Sequence, residues 1–207
     1  MRKGDGEVQK IEVGLQQAYR MLNPGFVVLL SSAHDGRQNV MTLAWHMPVS
    51  FKPPLVAISV APTRFTAGLI QASGSFVLNV PGCNLLPAVQ YCGTVSGRDG
   101  DKFSGAGLTP VPAKKVEAPL VAECLGHLEC RVAATHEAGD HLIFVGEVVA
   151  ASAVERLFDG MWRLGDLEGT LPVAHLGGTH YLLPGKRVHV TSYKDPAGET
   201  RFRCLAD

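Results

Sequence analysis

Between Phe26 and Trp45 the chain reads FVVLLSSA, then HDGR and Gln38, then NVMTLAW: two apolar, β-branched stretches joined by a connection too short for a helix. Asp-Gly at the centre of that connection tolerates the positive φ angles of a tight turn, so the segment predicts an antiparallel hairpin. The pattern recurs downstream. PPLVAISVA reads as a strand, with prolines where a strand start tolerates them, and GSFVLNVPG reads as another. Two long β-branched segments, PLVAECLGHLECRVAATHEAGD and HLIFVGEVVAASAV, meet at AGD and predict a second hairpin with a short loop. Helical spacing is confined to short stretches. RFTAGLIQAS and LLPAVQYCGTV are two, and Val8, Ile11, Leu15, Ala18, Tyr19 and Leu22 predict an opening amphipathic helix that ends before NPG. About six strands separated by turns or single short helices, without βαβ alternation, predict a mostly β, antiparallel barrel. A doubly wound nucleotide domain is disfavoured, because no G-x-G-x-x-G follows a strand.

With 207 residues, 46% hydrophobic and 18% charged, and with no repeat or linker, the chain is expected to form one domain over 1–207. Lys plus Arg equals Asp plus Glu at 19 each, so no overall field draws the protein to nucleic acid or an anionic membrane. Any anion site must be built locally. The longest apolar runs, FVVLL and LIFV, fall far short of the ~20 residues of a spanning helix, and MRKGDGEVQKIE has no apolar signal core. The expectation is a soluble, cytoplasmic protein. Five cysteines, odd in number and without a C-x-x-C pair, argue against a disulfide framework or a zinc site and predict mostly buried thiols.

Three segments carry candidate chemistry. GTVSGRDGDKF, residues 93–103, supplies Thr94, Ser96, Arg98 and Lys102 around three glycines, the inventory of a phosphate cradle, although Asp99 and Asp101 would repel an anion. Residue types alone leave it open between an anion site and a solvated loop. Thr63, Arg64 and Thr66 fall where a strand ends and a helix begins, so their donors and the helix N-terminus can face one anion. The alternative there is an N-cap threonine beside an exposed arginine. In NVMTLAWHMPVS, Asn39, Met41, Leu43 and Trp45 share one strand face and Val40, Thr42, Ala44 and His46 the other. Such a strand can hold the rim and face of a planar heterocycle, or simply present one face to a core. His175 and His180, in HLGGTH, predict a structural role near a barrel rim, since the glycines prevent a helix that would align them and no third ligand has matching spacing. No metal site is expected.

Taken in order, NVMTLAWHMPVSFKPPLVAISV, TRFTAGLIQASGSFVLNVP, CGTVSGRDGDKFSGAGLTPVPAKKVEAPLVAECLGHLECRV, GDHLIFVGEVV and PVAHLGG resemble the flavin reductase-like family, in its flavoredoxin-like branch. The resemblance covers about residues 20–180. It implies a six-stranded antiparallel split β-barrel that binds FMN, with short flanking helices. It further implies that Met41, Thr42, Leu43, Ala44 and Trp45 line the isoalloxazine ring, that Thr63, Arg64 and Thr66 hold the ribityl phosphate, and that the Asn79 amide reaches the flavin. Thr94, Ser96 and Lys102 would add polar contacts, and His141 would stand where a nicotinamide stacks, unless it is only an exposed strand-end histidine. The implied activity is hydride transfer from NAD(P)H to flavin, then electron delivery to a flavin, ferric or protein acceptor, by a homodimer. Two alternatives remain: an FMN electron-transfer protein without direct NAD(P)H use, and a non-catalytic flavin binder. The tail GKRVHVTSYKDPAGETRFRCLAD, with Cys204, extends past the matched part and has no assigned role.

Overall fold

The computed structural model describes residues 12–22, 25–163, 167–185, 188–194, 196–197 and 200–206. The expected first hairpin forms. After a short β1 (Gly25–Phe26), β2 (Val28–His34) and β3 (Arg37–Leu43) pair antiparallel through a turn in which Asp35 and Gly36 take φ of 50° and 73°. Two residues of positive φ give the turn the twist that flanking strands require. The strand then breaks at Ala44 and Trp45 and resumes as β4 (His46–Phe51), which pairs with β5 (Pro54–Val60).

Helix α1 (Phe65–Ser73) follows and ends on Gly74, whose φ of 66° supplies a left-handed cap. Strand β6 (Ser75–Val80) leads into α2 (Leu86–Thr94) and α3 (Lys102–Ala106), and β7 (Pro110–Val111) pairs with β8 (Leu120–Val121). The long hairpin of β9 (Gly126–Ala138) and β10 (His141–Ala153) turns on Gly139 and Asp140 alone. β11 (Ala174–Gly177) lies between β1 and β12 (His180–Leu182), and β13 (Val188–Lys194) pairs with β14 (Thr200–Ala206).

The main sheet runs β3-β2-β6-β9-β10-β5-β4. Its two ends, β3 and β4, are consecutive in the chain and separated by two residues, so the sheet must curl until its edges meet. One bent strand thus serves both edges. Seven strands appear where six are expected because NVMTLAWHMPVS is divided at the bend.

Each strand of the barrel except β4 sends alternate residues into one apolar cluster, including Leu30, Leu43, Ile58, Phe76, Leu78, Cys130 and Phe144, closed by Ala67 and Ile70 of α1. A second cluster forms on the opposite side of β2 and β3, where Leu29 and Val40 meet Val89 and Cys92 of α2 and Phe103 of α3. β2 and β3 are therefore covered on both faces over most of their length, which explains why β2 reads as a continuous apolar run rather than an alternation.

The opening segment departs from expectation. It forms a 3₁₀ turn over Leu15–Met21 rather than an α-helix, and Leu15 and Leu22 are exposed, while Val8 and Ile11 lie outside the described residues. Over its described part the stripe buries none of its residues, and its one aromatic, Tyr19, meets Trp45 edge-on rather than a core. Among the described residues no helix is long and apolar enough to cross a membrane.

Cys92, Cys124 and Cys130 are buried free thiols. Burial pushes Cys92 up to about 11, against the opposing charge of Lys102, and Cys130 up to about 12, with Glu129 adding to the rise. Cys124 is raised further by burial, then by Glu123. A thiol held neutral in the fold ionises only on unfolding once pH passes the usual ~8.5, so stability should fall as pH rises above that value. Native protein treated with a thiol reagent at pH 8 should show these three cysteines unmodified by peptide mapping, and modified after unfolding.

Candidate functional site

A cleft of about 400 Å³ opens beside the bend in the split strand, and a cavity of about 170 Å³ adjoins it. Met41, Thr42, Arg64, Gly93 and Thr94 line both, so the two compartments share a wall.

The larger compartment is aromatic. Trp45, freed from the strand ladder by the bend, packs edge-on against Tyr19 at 5.6 Å between centroids and lies against the His141 ring at 4.9 Å and 34°. The Trp45 carbonyl accepts from Ser59 N–H at 3.0 Å, tying the bend to β5. His141 begins β10, immediately after the Gly139-Asp140 turn, and its Nδ1 lies 2.7 Å from Asp140 Oδ1. That bond holds the exposed Asp140 carboxyl below its usual range. His175 and Tyr181, 5.2 Å apart on the β11–β12 hairpin, form the facing wall.

The smaller compartment is cationic. Arg64 stands at the start of α1, where no side chain caps the helix and no acid lies in its first turn. Arg98 and Lys102 line the same cavity, while no Asp or Glu lines either compartment. Among the described residues none of the three cations makes a salt bridge. Arg98 donates to the Thr63 carbonyl at 2.9 Å, and buried Lys102 donates from Nζ to the Cys92 carbonyl at 2.5 Å. Asp101, a source of expected repulsion, instead caps α3 by accepting from Phe103 N–H at 2.9 Å. Gly97 closes the cavity at a point where a Cβ would collide with the Asn39 amide and the Phe65 ring.

Hydroxyl accounting separates the threonines and serine. Thr66, buried, accepts from Asn39 Nδ2 at 2.7 Å and keeps its own proton for a further acceptor. Ser96 Oγ accepts from Arg98 N–H at 3.2 Å and keeps its proton likewise. Thr42 spends its proton on the Val89 carbonyl at 2.5 Å, holding α2 to β3.

Of the residues expected at a site, Leu43, Ala44, Trp45 and His141 line the large cleft, Thr63, Thr66, Ser96 and Lys102 the small cavity, and Met41, Thr42, Arg64 and Thr94 both. Asn79 lines neither. It is fully buried, its Nδ2 donates to the Leu29 carbonyl at 2.9 Å and Ser31 Oγ at 3.0 Å, and its Oδ1 accepts from Val121 N–H at 2.9 Å with His127 Nδ1 at 3.0 Å. Every polar atom of its amide is occupied, so it ties β8 and β9 to β2 and has no capacity left for a ligand. Arg20, Gln90, His175 and Tyr181 line the cleft without having been expected there, and Tyr19 was assigned only to a helix stripe. Gln90 alone carried a local signal, its i,i+4 relation to Thr94 on a predicted helix.

Residues 20–171 match the flavin reductase like domain. The chain belongs to the flavin reductase-like family. It is 39% identical over 183 residues to the uncharacterized protein YddH of Escherichia coli (strain K12), covering 86% of this chain and 96% of that one. It is 30% identical over 144 residues to the NADH-dependent FAD reductase of Streptomyces globisporus, covering 69% and 77% of the two chains. The fold superposes on the flavoredoxin of Methanosarcina acetivorans with a TM-score of 0.76 at 29% identity, covering 87% of this chain and 94% of that one. The barrel is thus the FMN-binding split barrel, with the split strand described above.

Burial, reinforced by the Arg64 charge and opposed by Cys92, holds Lys102 below the usual lysine range. Its charged form is complete only below that lowered pKa, so anion affinity should fall as pH rises through it, before the ~10.4 of a free lysine. Arg64→Ala should weaken FMN by about 1.5–3 kcal/mol, roughly 10- to 150-fold, and leave riboflavin, which lacks the phosphate, nearly unchanged in parallel titrations.

Proposed function

We propose that the protein binds FMN across the two compartments and uses it to pass reducing equivalents from NAD(P)H to a flavin, ferric or protein acceptor. The observation that carries this reading is the shared wall: an aromatic cleft continuous with a cavity bearing three cations and no carboxylate. A planar ring joined to an anionic group fits that pair of surfaces. Arg64, Arg98 and Lys102 would neutralise the phosphate, with Thr66 and Ser96 donating to its oxygens. Met41, Leu43, Ala44 and the main chain of the bend would border the ring. FMN, when bound, supplies a ring that accepts a hydride and releases electrons singly or in pairs.

The protein's part is to bind and to orient. Hydride transfer asks no acid or base of the chain, so His141 would fix the donor ring at contact distance. Asp140, by accepting from Nδ1–H, holds the imidazole in one tautomer and one orientation. The likeness to a flavoredoxin favours a second reading, in which FMN takes electrons from another protein rather than from NAD(P)H.

We also infer a homodimer. Met47, Val49 and Phe51 of β4 are all exposed, Phe51 at 96%, an apolar edge strand that a second copy would cover.

Protein purified without added flavin should be yellow, or take up FMN, and bleach on anaerobic addition of NADH or NADPH. Colour that persists until dithionite is added would favour the electron-transfer reading; failure to take up FMN would overturn both. His141→Ala should slow reduction by the nicotinamide more than it weakens FMN. Sedimentation should give twice the 22.1 kDa chain mass, and Phe51→Glu should shift it toward the monomer.

A further inference from the structure

We infer that Tyr181, acting through Gln90, positions the Thr94 hydroxyl as an acceptor for the polyhydroxyl chain that joins the flavin ring to its phosphate. This rests on the reading that the protein binds FMN. It makes the β11–β12 hairpin, at residues 174–182, part of the cofactor site, although that hairpin lies beyond residue 171, where the family match ends.

Thr94 is the last residue of α2 and, with Met41, Thr42, Arg64 and Gly93, lines both compartments, so a ligand with its ring in one and its phosphate in the other passes its connecting chain along the wall to which this side chain belongs. The hydroxyl is already engaged twice. Thr94 Oγ donates to the Gln90 carbonyl at 2.8 Å and accepts from Gln90 Nε2 at 2.9 Å. With its one proton committed, it can accept a further hydrogen bond but cannot give one. Phosphate oxygens are acceptors and do not suit it; the hydroxyls of a sugar-alcohol chain do. Thr94 therefore belongs to the middle of the ligand, not to its phosphate end with Thr66 and Ser96.

This state of Thr94 depends on which end of the Gln90 amide faces it. Tyr181 Oη donates to Gln90 Oε1 at 2.7 Å, which directs the amide carbonyl to the hairpin and the amide N–H to Thr94. Burial raises the Tyr181 phenol above its usual pKa, so it remains a donor throughout the neutral range. The ring is held by His175 at 5.2 Å, and His175 pairs across the sheet with both Tyr181 and Gly25. Tyr181 is thus a positioning residue: it acts on the ligand only through Gln90 and Thr94.

Tyr181→Phe removes the proton and keeps the ring. Dissociation constants for lumiflavin, riboflavin and FMN, measured by fluorescence titration, separate the parts of the ligand. The variant should weaken riboflavin and FMN alike, each by roughly 3- to 10-fold for one lost hydrogen bond, and leave lumiflavin, which has no polyhydroxyl chain, unchanged. Thr94→Val should give the same pattern, and the double variant should lose no more than either single one, because the two residues act in one chain of bonds. Unchanged riboflavin and FMN affinities would overturn the inference. So would an equal loss for lumiflavin, which would make Tyr181 a general structural support. Wild-type protein that takes up none of the three flavins would instead overturn the FMN reading beneath it.

Discussion

Ala44 and Trp45 interrupt a strand for two residues, and the barrel depends on that interruption. Without it, β3 and β4 would continue in one direction and could not serve opposite ends of the same sheet. With it, the chain crosses from one edge to the other, the sheet closes, and two backbone positions leave the ladder. Ala44 turns toward the helices of the second apolar cluster, while Trp45 turns into the cleft against Tyr19 and His141. Closure of the fold and construction of the ring compartment are the same event in the backbone.

The anion compartment is assembled from three separate turns of chain. Arg64 arrives on the start of α1, Arg98 on the loop after α2, and Lys102 on α3. A buried ammonium whose hydrogen-bond partner among the described residues is a carbonyl is an unfavourable arrangement, and Arg64 nearby makes it more so. The chain's net charge is zero, so this concentration of positive charge owes nothing to composition. It is local, brought together by the fold from three separate segments.

Elements held by neighbouring residues were legible in the sequence. The Asp-Gly turn, the β9–β10 hairpin, α1 and the pairing of Thr63, Arg64 and Thr66 at its start all follow from local chemistry. What could not be read was contact across the chain. Tyr181 meets Gln90 over 91 positions, and no periodicity encodes that meeting. Asn79 shows the reverse error: a lone amide in VLNVP stands out as a ligand contact, but its partners are backbone and side chains 42 to 50 residues away. Over its described part, Leu15 to Leu22, the opening stripe departed from expectation for a related reason, since amphipathic spacing states that a face is apolar and says nothing of whether a core stands opposite. Asp99 and Asp101 misled by proximity in sequence alone, for neither side chain lines the cavity their loop encloses.

The placement of Trp45 has an optical consequence. The chain has only two tryptophans, and Trp162 is engaged elsewhere, with its ring against Phe158 and over Gly126. Trp45 borders the cleft itself. Indole emission overlaps flavin absorption, so a chromophore lodged there would drain the excited state of this one residue. The fold carries a built-in donor for energy transfer, and occupancy of the cleft is written in its emission before any turnover takes place.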